Sequence, residues 1–259
     1  MNIWISNIPI SNGYIKRKPQ NYLRYPLDIG KAHFIFVLEK FLFLESSNRY
    51  KRFTIRFLVA LYFFAALHLK EIPYDIKPVS LIKSGGEHHS NEFRDVNPME
   101  QVPALHIDGI TLVESLNILH YLEETRPQRP LMPHEFGKRA KVREVCEVIA
   151  SGIQPLQNLI VLIHVGEEKK NEWAQHWISR GFRAVEKLLS QSAGKYCVGD
   201  EITLADCCLI PQVFNARKFH VDLRPFPIIL RIDRELENHP AFRATHPSNQ
   251  PDCPPEATK

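Results

Sequence analysis

Cysteine is scarce in this chain, and the five thiols, at 146, 197, 207, 208 and 253, form neither a C-x-x-C pair nor a zinc-ligand spacing. That pattern argues against a zinc module and a thioredoxin-type redox motif, and leaves free thiols in a reducing cytosol. A redox role for the adjacent Cys207-Cys208 is disfavoured by the helical pattern around them. No metal site is expected: His88-His89 are neighbours on a loop, and adjacent residues rarely converge on one ion. Glycine is also low, 11 against 19 prolines, which describes a globular chain with rigid turns and no low-complexity tract. Long apolar runs are missing. The longest, Phe57 through Leu67, falls short of the roughly 20 residues a membrane span requires, and no small-residue cleavage site follows it. A basic stripe with interleaved aromatics is absent too, so nucleic-acid binding is not expected.

What remains is enough for one sizeable core or two modest ones: 259 residues, 44% of them hydrophobic. The formal net charge is +4, unevenly spread. Residues 1–56 hold ten Lys/Arg against three Asp/Glu, a balance of +7, which leaves the rest of the chain at −3. This basic segment shows no helical or strand period over its first thirty residues. Two apolar bursts follow, Phe34 to Leu38 with Phe41 to Leu44, and then Phe57 to Leu67 behind Lys51, Arg52 and Arg56. For the second burst three readings stay open: a buried helix, a signal anchor, or a segment that does not fold stably.

From Glu71 the order is clean. Tyr74 to Lys77 reads as a strand, and Ser84-Gly85-Gly86-Glu87-His88-His89 as a loop before a short helix. Asn97-Pro98-Met99-Glu100-Gln101-Val102-Pro103-Ala104-Leu105 is a loop entering a strand. Asp108-Gly109 is a hairpin turn, and Glu114-Ser115 stands where an amphipathic helix opens, running to about Thr125. A proline-rich connector, Arg126 to His134, follows. Beyond it every long segment has a helical period, with breaks at Gly166, Gly194 and Gly199-Asp200. Thr203-Leu204-Ala205-Asp206 is a capping box, so Thr203 and Asp206 are structural.

Asn97 to Leu105, Gly109 to Pro127, Ser151 to Leu159, Tyr196 to Ala216 and Val221 to Pro227 together resemble the zeta-class glutathione transferases, the maleylacetoacetate isomerases, over about residues 65–259. The resemblance implies an α/β thioredoxin-like N-terminal domain followed by an all-α C-terminal domain. On this chain that gives 1–56 as an atypical extension, 57–125 as the glutathione-binding domain, 126–134 as linker and 135–259 as the helical substrate domain. It also implies glutathione as cofactor, a small-molecule substrate, a homodimer, a cytoplasmic location and no membrane association. The implied reaction is the cis-trans isomerisation of maleylacetoacetate to fumarylacetoacetate in tyrosine and phenylalanine breakdown, with transferase side activity.

Site residues carry over by position. In the thioredoxin-like fold Pro103 is cis and frees the Val102 main chain to pair with a bound peptide. Ser115, beside the helix N–H groups, holds the γ-glutamyl carboxylate, or is a plain N-cap, and Glu114 accepts from the ammonium. His88 takes the place of a family Gln at the glycine end. Gln154 and Asn158 flank Pro155 on the first helix of the second domain, with Gln157 between them. Lys218, or Arg217 beside it, stands where the family meets substrate carboxylates. The family's catalytic Ser-Ser-Cys loop and the Trp-Arg-Val-Arg that follows have no counterpart: Phe57-Leu58-Val59 and Leu61-Tyr62-Phe63-Phe64 occupy those places. Two readings of residues 1–64 stay open, an alternative start or misjudged exon boundary, and an isoform without the thiolate-activating loop. The second makes the protein a glutathione-fold binder without activity.

Overall fold

The computed structural model describes residues 32–36, 58–79, 85–246 and 249. Its sheet has four strands in the order β2-β1-β3-β4: β1 Ala32–Phe36, β2 Tyr74–Pro78, β3 Ala104–Ile107 and β4 Ile110–Val113. β1 runs parallel to β2, with Ala32 opposite Tyr74, and antiparallel to β3, with Phe34 opposite Leu105. A parallel pair needs a crossover, and α1 (Leu58–Lys70) supplies it. β3 and β4 close through Asp108 and Gly109 at φ 52 and 78, the positive dihedrals that an Asp-Gly hairpin turn demands.

This arrangement corrects the boundary drawn at residue 57. The sheet reaches back to Ala32, because β2 and β3 do not pair directly and β1 is the strand that joins them. Leu58 and Val59 are not a loop either; they are the first residues of α1. The connection from β1 to α1, including Phe57, lies outside the described residues, as do Cys253 and most of the basic N-terminal segment. Of the three readings of the Phe57–Leu67 burst, the buried helix is the one observed for its described part, helical from Leu58 and buried from Leu61. Tyr62, Phe63, Ala65 and Leu67 are fully buried, as expected of a helix that is apolar all round. Among the described residues no single helix is long and apolar enough to cross a membrane.

The short α2 (Asn91–Val96) is capped by Ser90, whose hydroxyl accepts from the Phe93 N–H. α3 (Ser115–Thr125) buries Ile118, Leu119 and Leu122 against α1. The helical part follows as α4 (Phe136–Gly152), α5 (Leu159–Val165), α6 (Lys170–Ser192), α7 (Leu204–Lys218), α8 (Pro227–Leu236) and α9 (Pro240–Thr245). One continuous core joins both halves, since α1 packs on α3, α7 and α9 while α7 also packs on α4. The capping box forms as expected: Thr203 accepts from the Ala205 N–H, and Asp206, fully buried, accepts from the Thr203 and Cys197 N–H groups.

Candidate functional site

The loop before β3 is built to present main chain. Asn97, 1% exposed, donates from Nδ2 to the Gln101 carbonyl at 2.6 Å and accepts from the Met99 N–H at 2.9 Å. The Val102-Pro103 peptide is cis. The Val102 side chain packs with Val79 and Phe93, so only its main chain is on offer. Among the described residues no hydrogen bond reaches the Val102 N–H or C=O.

Across the sheet, α3 points its N-terminus at the same space. Ser115 is its first residue, 8% exposed; Glu114 occupies the N-cap position and makes no side-chain cap bond. The N-cap reading of Ser115 is therefore corrected by one residue. Glu114 sits at φ 68, ψ 118, a sparsely populated region that costs about 1–3 kcal/mol and clusters at functional sites. Uncapped N–H groups at a helix start make a ready anion site.

The opposite wall comes from the helical half. α4 stops at Gly152, and Gln154–Gln157 forms a 3-10 turn with Pro155 in its first positions, so the proline breaks the helix instead of merely weakening it. Three supports fix this turn. Trp173 Nε1 donates to the Leu156 carbonyl at 2.7 Å, and Asn215 Nδ2 donates to Gln157 Oε1 inside the core. Gly181 lies under Ile153 so closely that a Cβ there would fall 2.3 Å from Ile153 Cγ1. Gln157 thus serves the core, while Gln154 and Asn158 face outward.

A cavity of about 320 Å³ lies between these walls, lined among others by Val102, Glu114, Ser115, Gln154 and Asn158. Five of the six expected ligand-binding residues meet there. His88, the sixth, lines an adjoining pocket of about 190 Å³ that shares Gln101, Val102, Asn158 and Ile160 with the first. Gln101, which borders both, was missed; its signal was a polar side chain directly before the Val-Pro step. Cavity, open helix N-terminus, unpartnered Val102 main chain and a carboxylate at Glu114 suit a small zwitterionic peptide, and the site fits glutathione.

Lys218 and Arg217 are corrections. Neither lines the two cavities. Arg217 turns to α8, where both guanidinium ends donate to the largely buried carboxylate of Asp233, one of them at 3.2 Å, and the Lys218 ammonium lies 5.8 Å from the Phe219 ring centroid. A charge already satisfied by a partly buried partner is not available to a substrate. No cation stands on the walls of the larger cavity among the described residues; its hydroxyls are Ser115 and Ser151, and Ser151 already donates to Glu147 at 3.0 Å.

None of the described thiols lines either cavity. Cys146, Cys197, Cys207 and Cys208 are buried and free. Burial pushes the Cys197 and Cys207 thiols well up, and for Cys208 a hydrogen bond with Cys146 acts first and burial second. Such thiols remain protonated and unreactive. Among the described residues no His/Cys/Asp/Glu group is placed to hold a metal.

The glutathione S-transferase N-terminal domain family matches residues 63–125, and the corresponding C-terminal domain family matches 171–244. Probable maleylacetoacetate isomerase 2 of Drosophila melanogaster is 82% identical over 191 residues, covering 74% of this chain and 84% of the relative. Mouse maleylacetoacetate isomerase is 56% identical, covering 74% and 88%. Among solved structures, a maleylacetoacetate isomerase from Anaeromyxobacter dehalogenans superposes with a TM-score of 0.72 at 33% identity, covering 88% of this chain and 96% of that one. The same bacterial enzyme with glutathione bound in its active site gives 0.69 at 40% identity, covering 76% and 94%.

Proposed function

The chain belongs to the maleylacetoacetate isomerases, the zeta class of glutathione transferases, and from that membership we propose that it binds glutathione in the 320 Å³ cavity and isomerises maleylacetoacetate to fumarylacetoacetate there. The observation that carries the reading is the convergence of Val102, Glu114, Ser115, Gln154 and Asn158, from both halves of the chain, on one space. The Val102 main chain pairs with the cysteinyl unit. Ser115 and the open N-terminus of α3 hold the γ-glutamyl carboxylate, Glu114 accepts from its ammonium, and His88 meets the glycine end. Gln154 and Asn158 close the site from the helical side. Bound glutathione supplies the thiol that adds reversibly to the substrate's double bond and lets it turn. The protein works as a cytoplasmic homodimer, by analogy with its family.

The test combines glutathione and maleylacetoacetate with the full chain and follows substrate absorbance together with free thiol. Isomerisation removes the cis substrate while the thiol titre stays constant; no loss of substrate above the uncatalysed rate overturns the catalytic reading.

A second reading is favoured by one observation: among the described residues the cavity wall carries no thiol, no cation and only two hydroxyls. A protein that binds glutathione without activating its thiol fits that wall. Tight binding with no turnover distinguishes it from the first.

A further inference from the structure

Glu100 belongs to no assigned role, yet it is tied down more firmly than its position on an open turn requires. Its backbone sits at φ 54, in the left-handed region that non-glycine residues rarely adopt. Its carboxylate is shared between two upstream elements: Oε1 accepts from Arg94 Nε of α2 at 2.7 Å, and Oε2 lies 2.5 Å from His89 Nδ1 on the 3-10 turn Glu87–His89. The Arg94 hydrogen bond, then that of His89, holds the Glu100 carboxyl below its usual range. The His89 ring in turn lies against that of His88, with centroids 3.8 Å apart and planes tilted by 42°. Asn97 already fixes the inner side of the same turn through the Gln101 carbonyl, so Glu100 is not needed to hold Val102 in place. What it adds is the join between the histidine turn and the loop, and both border the smaller pocket.

We propose that Glu100 is a positioning residue for the glycyl half of glutathione: by clamping His89 and Arg94 it sets where His88 and Gln101 stand in the smaller pocket. The proposal rests on the reading of the two cavities as the glutathione site. The cysteinyl and γ-glutamyl halves, held by Val102, Ser115 and α3, are outside its reach.

The test is calorimetry on the full chain with two ligands, glutathione and γ-glutamylcysteine, which lacks the glycyl unit. Glu100→Gln keeps the shape and removes the charge. Losing charge-assisted hydrogen bonds should weaken glutathione roughly tenfold and leave γ-glutamylcysteine and the melting temperature unchanged. Arg94→Gln should act the same way, and the double variant should be less than additive, as expected of one network. Equal losses for both ligands, or additive losses, would reduce Glu100 to a general stabiliser of the loop and overturn the proposal. So would unchanged glutathione affinity. A parent chain that binds neither ligand overturns the glutathione reading itself, an outcome seen before any variant is made.

Discussion

Lys70 Nζ lies 2.7 Å from Glu123 Oε2, with the two side chains 1% and 9% exposed. Neither group is left with an unpaired surface. Lys70 also donates to the carbonyls of Arg126, Gln128 and Arg129, and Glu123 accepts from the N–H groups of Leu131 and Met132. The last residue of α1 and a buried residue of α3 thereby hold most of the connector between the two halves. The larger cavity takes one wall from each half, and the connector this pair holds runs between them.

Removing one partner should therefore cost more than a surface ion pair would. Glu123→Ala leaves a buried ammonium without its counter-charge and two N–H groups without their acceptor, and breaking such a pair costs about 3–5 kcal/mol. Urea unfolding should show the loss in the midpoint. Glu71→Ala, which removes the exposed partner of Arg129, should change stability by less than about 1 kcal/mol. Equal effects of the two substitutions would mean that the connector is not held through Glu123.

The γ-glutamyl end of the site gives a binding prediction. Ser115→Ala together with Glu114→Ala should weaken glutathione by roughly 2–4 kcal/mol, the usual worth of charge-assisted hydrogen bonds. Calorimetry with unchanged affinity would place glutathione elsewhere or exclude it as the ligand. Relief of the strained φ at Glu114 is not expected from alanine, which fits φ 68 no better.

Acid stability should respond to Asp108. Hydrogen bonds from Arg126 and then Tyr121 hold its carboxyl below the ordinary 3.8. A depressed carboxyl binds fewer protons folded than unfolded, so its contribution is present above the unfolded value and is lost as pH falls through the lower folded one. With the side chain 43% exposed, solvent screening keeps the contribution below about 1 kcal/mol. Asp108→Asn should lower stability near neutrality and flatten the decline below pH 3.8. Unfolding midpoints measured across the acid range check both, and a slope unchanged from the parent would remove Asp108 from the account.

Local chemistry made most of this legible in the sequence. The Asp108-Gly109 turn, the Thr203 and Asp206 box, the proline connector and the helix from Ser115 are each specified by residues within a few positions of one another. That Val102, Glu114 and Ser115 line one cavity was legible for the same reason, since they lie close together in the chain. β1 was not, because a five-residue strand whose partners are Tyr74 to Pro78 and Ala104 to His106 carries its meaning in pairing, not in period. Arg217 failed for a related reason: its partner, Asp233, is on another helix, and no spacing along α7 points to it.

The start of the chain bears on catalysis most directly. The family resemblance places a Ser-Ser-Cys loop and Trp-Arg-Val-Arg ahead of and at the start of the first helix; the connection from β1 to α1 lies outside the described residues, and α1 itself opens with Leu58 and Val59, not Trp-Arg-Val-Arg, and buries Leu61 to Phe64. Tyr62 illustrates the mismatch: it is fully buried, its hydroxyl meets no hydrogen-bond partner among the described residues, and burial raises its pKa well above the ordinary range. An apolar lining raises the pKa of a neighbouring thiol in the same way, and loss of one oxyanion-type donor costs about 10²–10³ in rate. Exchanging residues 1–64 for a start that carries the Ser-Ser-Cys loop should therefore raise isomerase activity at least about a hundredfold. The measurement is loss of maleylacetoacetate absorbance at saturating glutathione in both proteins, with glutathione affinity determined alongside. If affinity is matched and the rates differ by that factor, the loop's donors activate the thiol. Comparable rates would mean that the present chain stabilises the thiolate by other means, and Ser115, whose hydroxyl lines the cavity, would be the first residue to substitute.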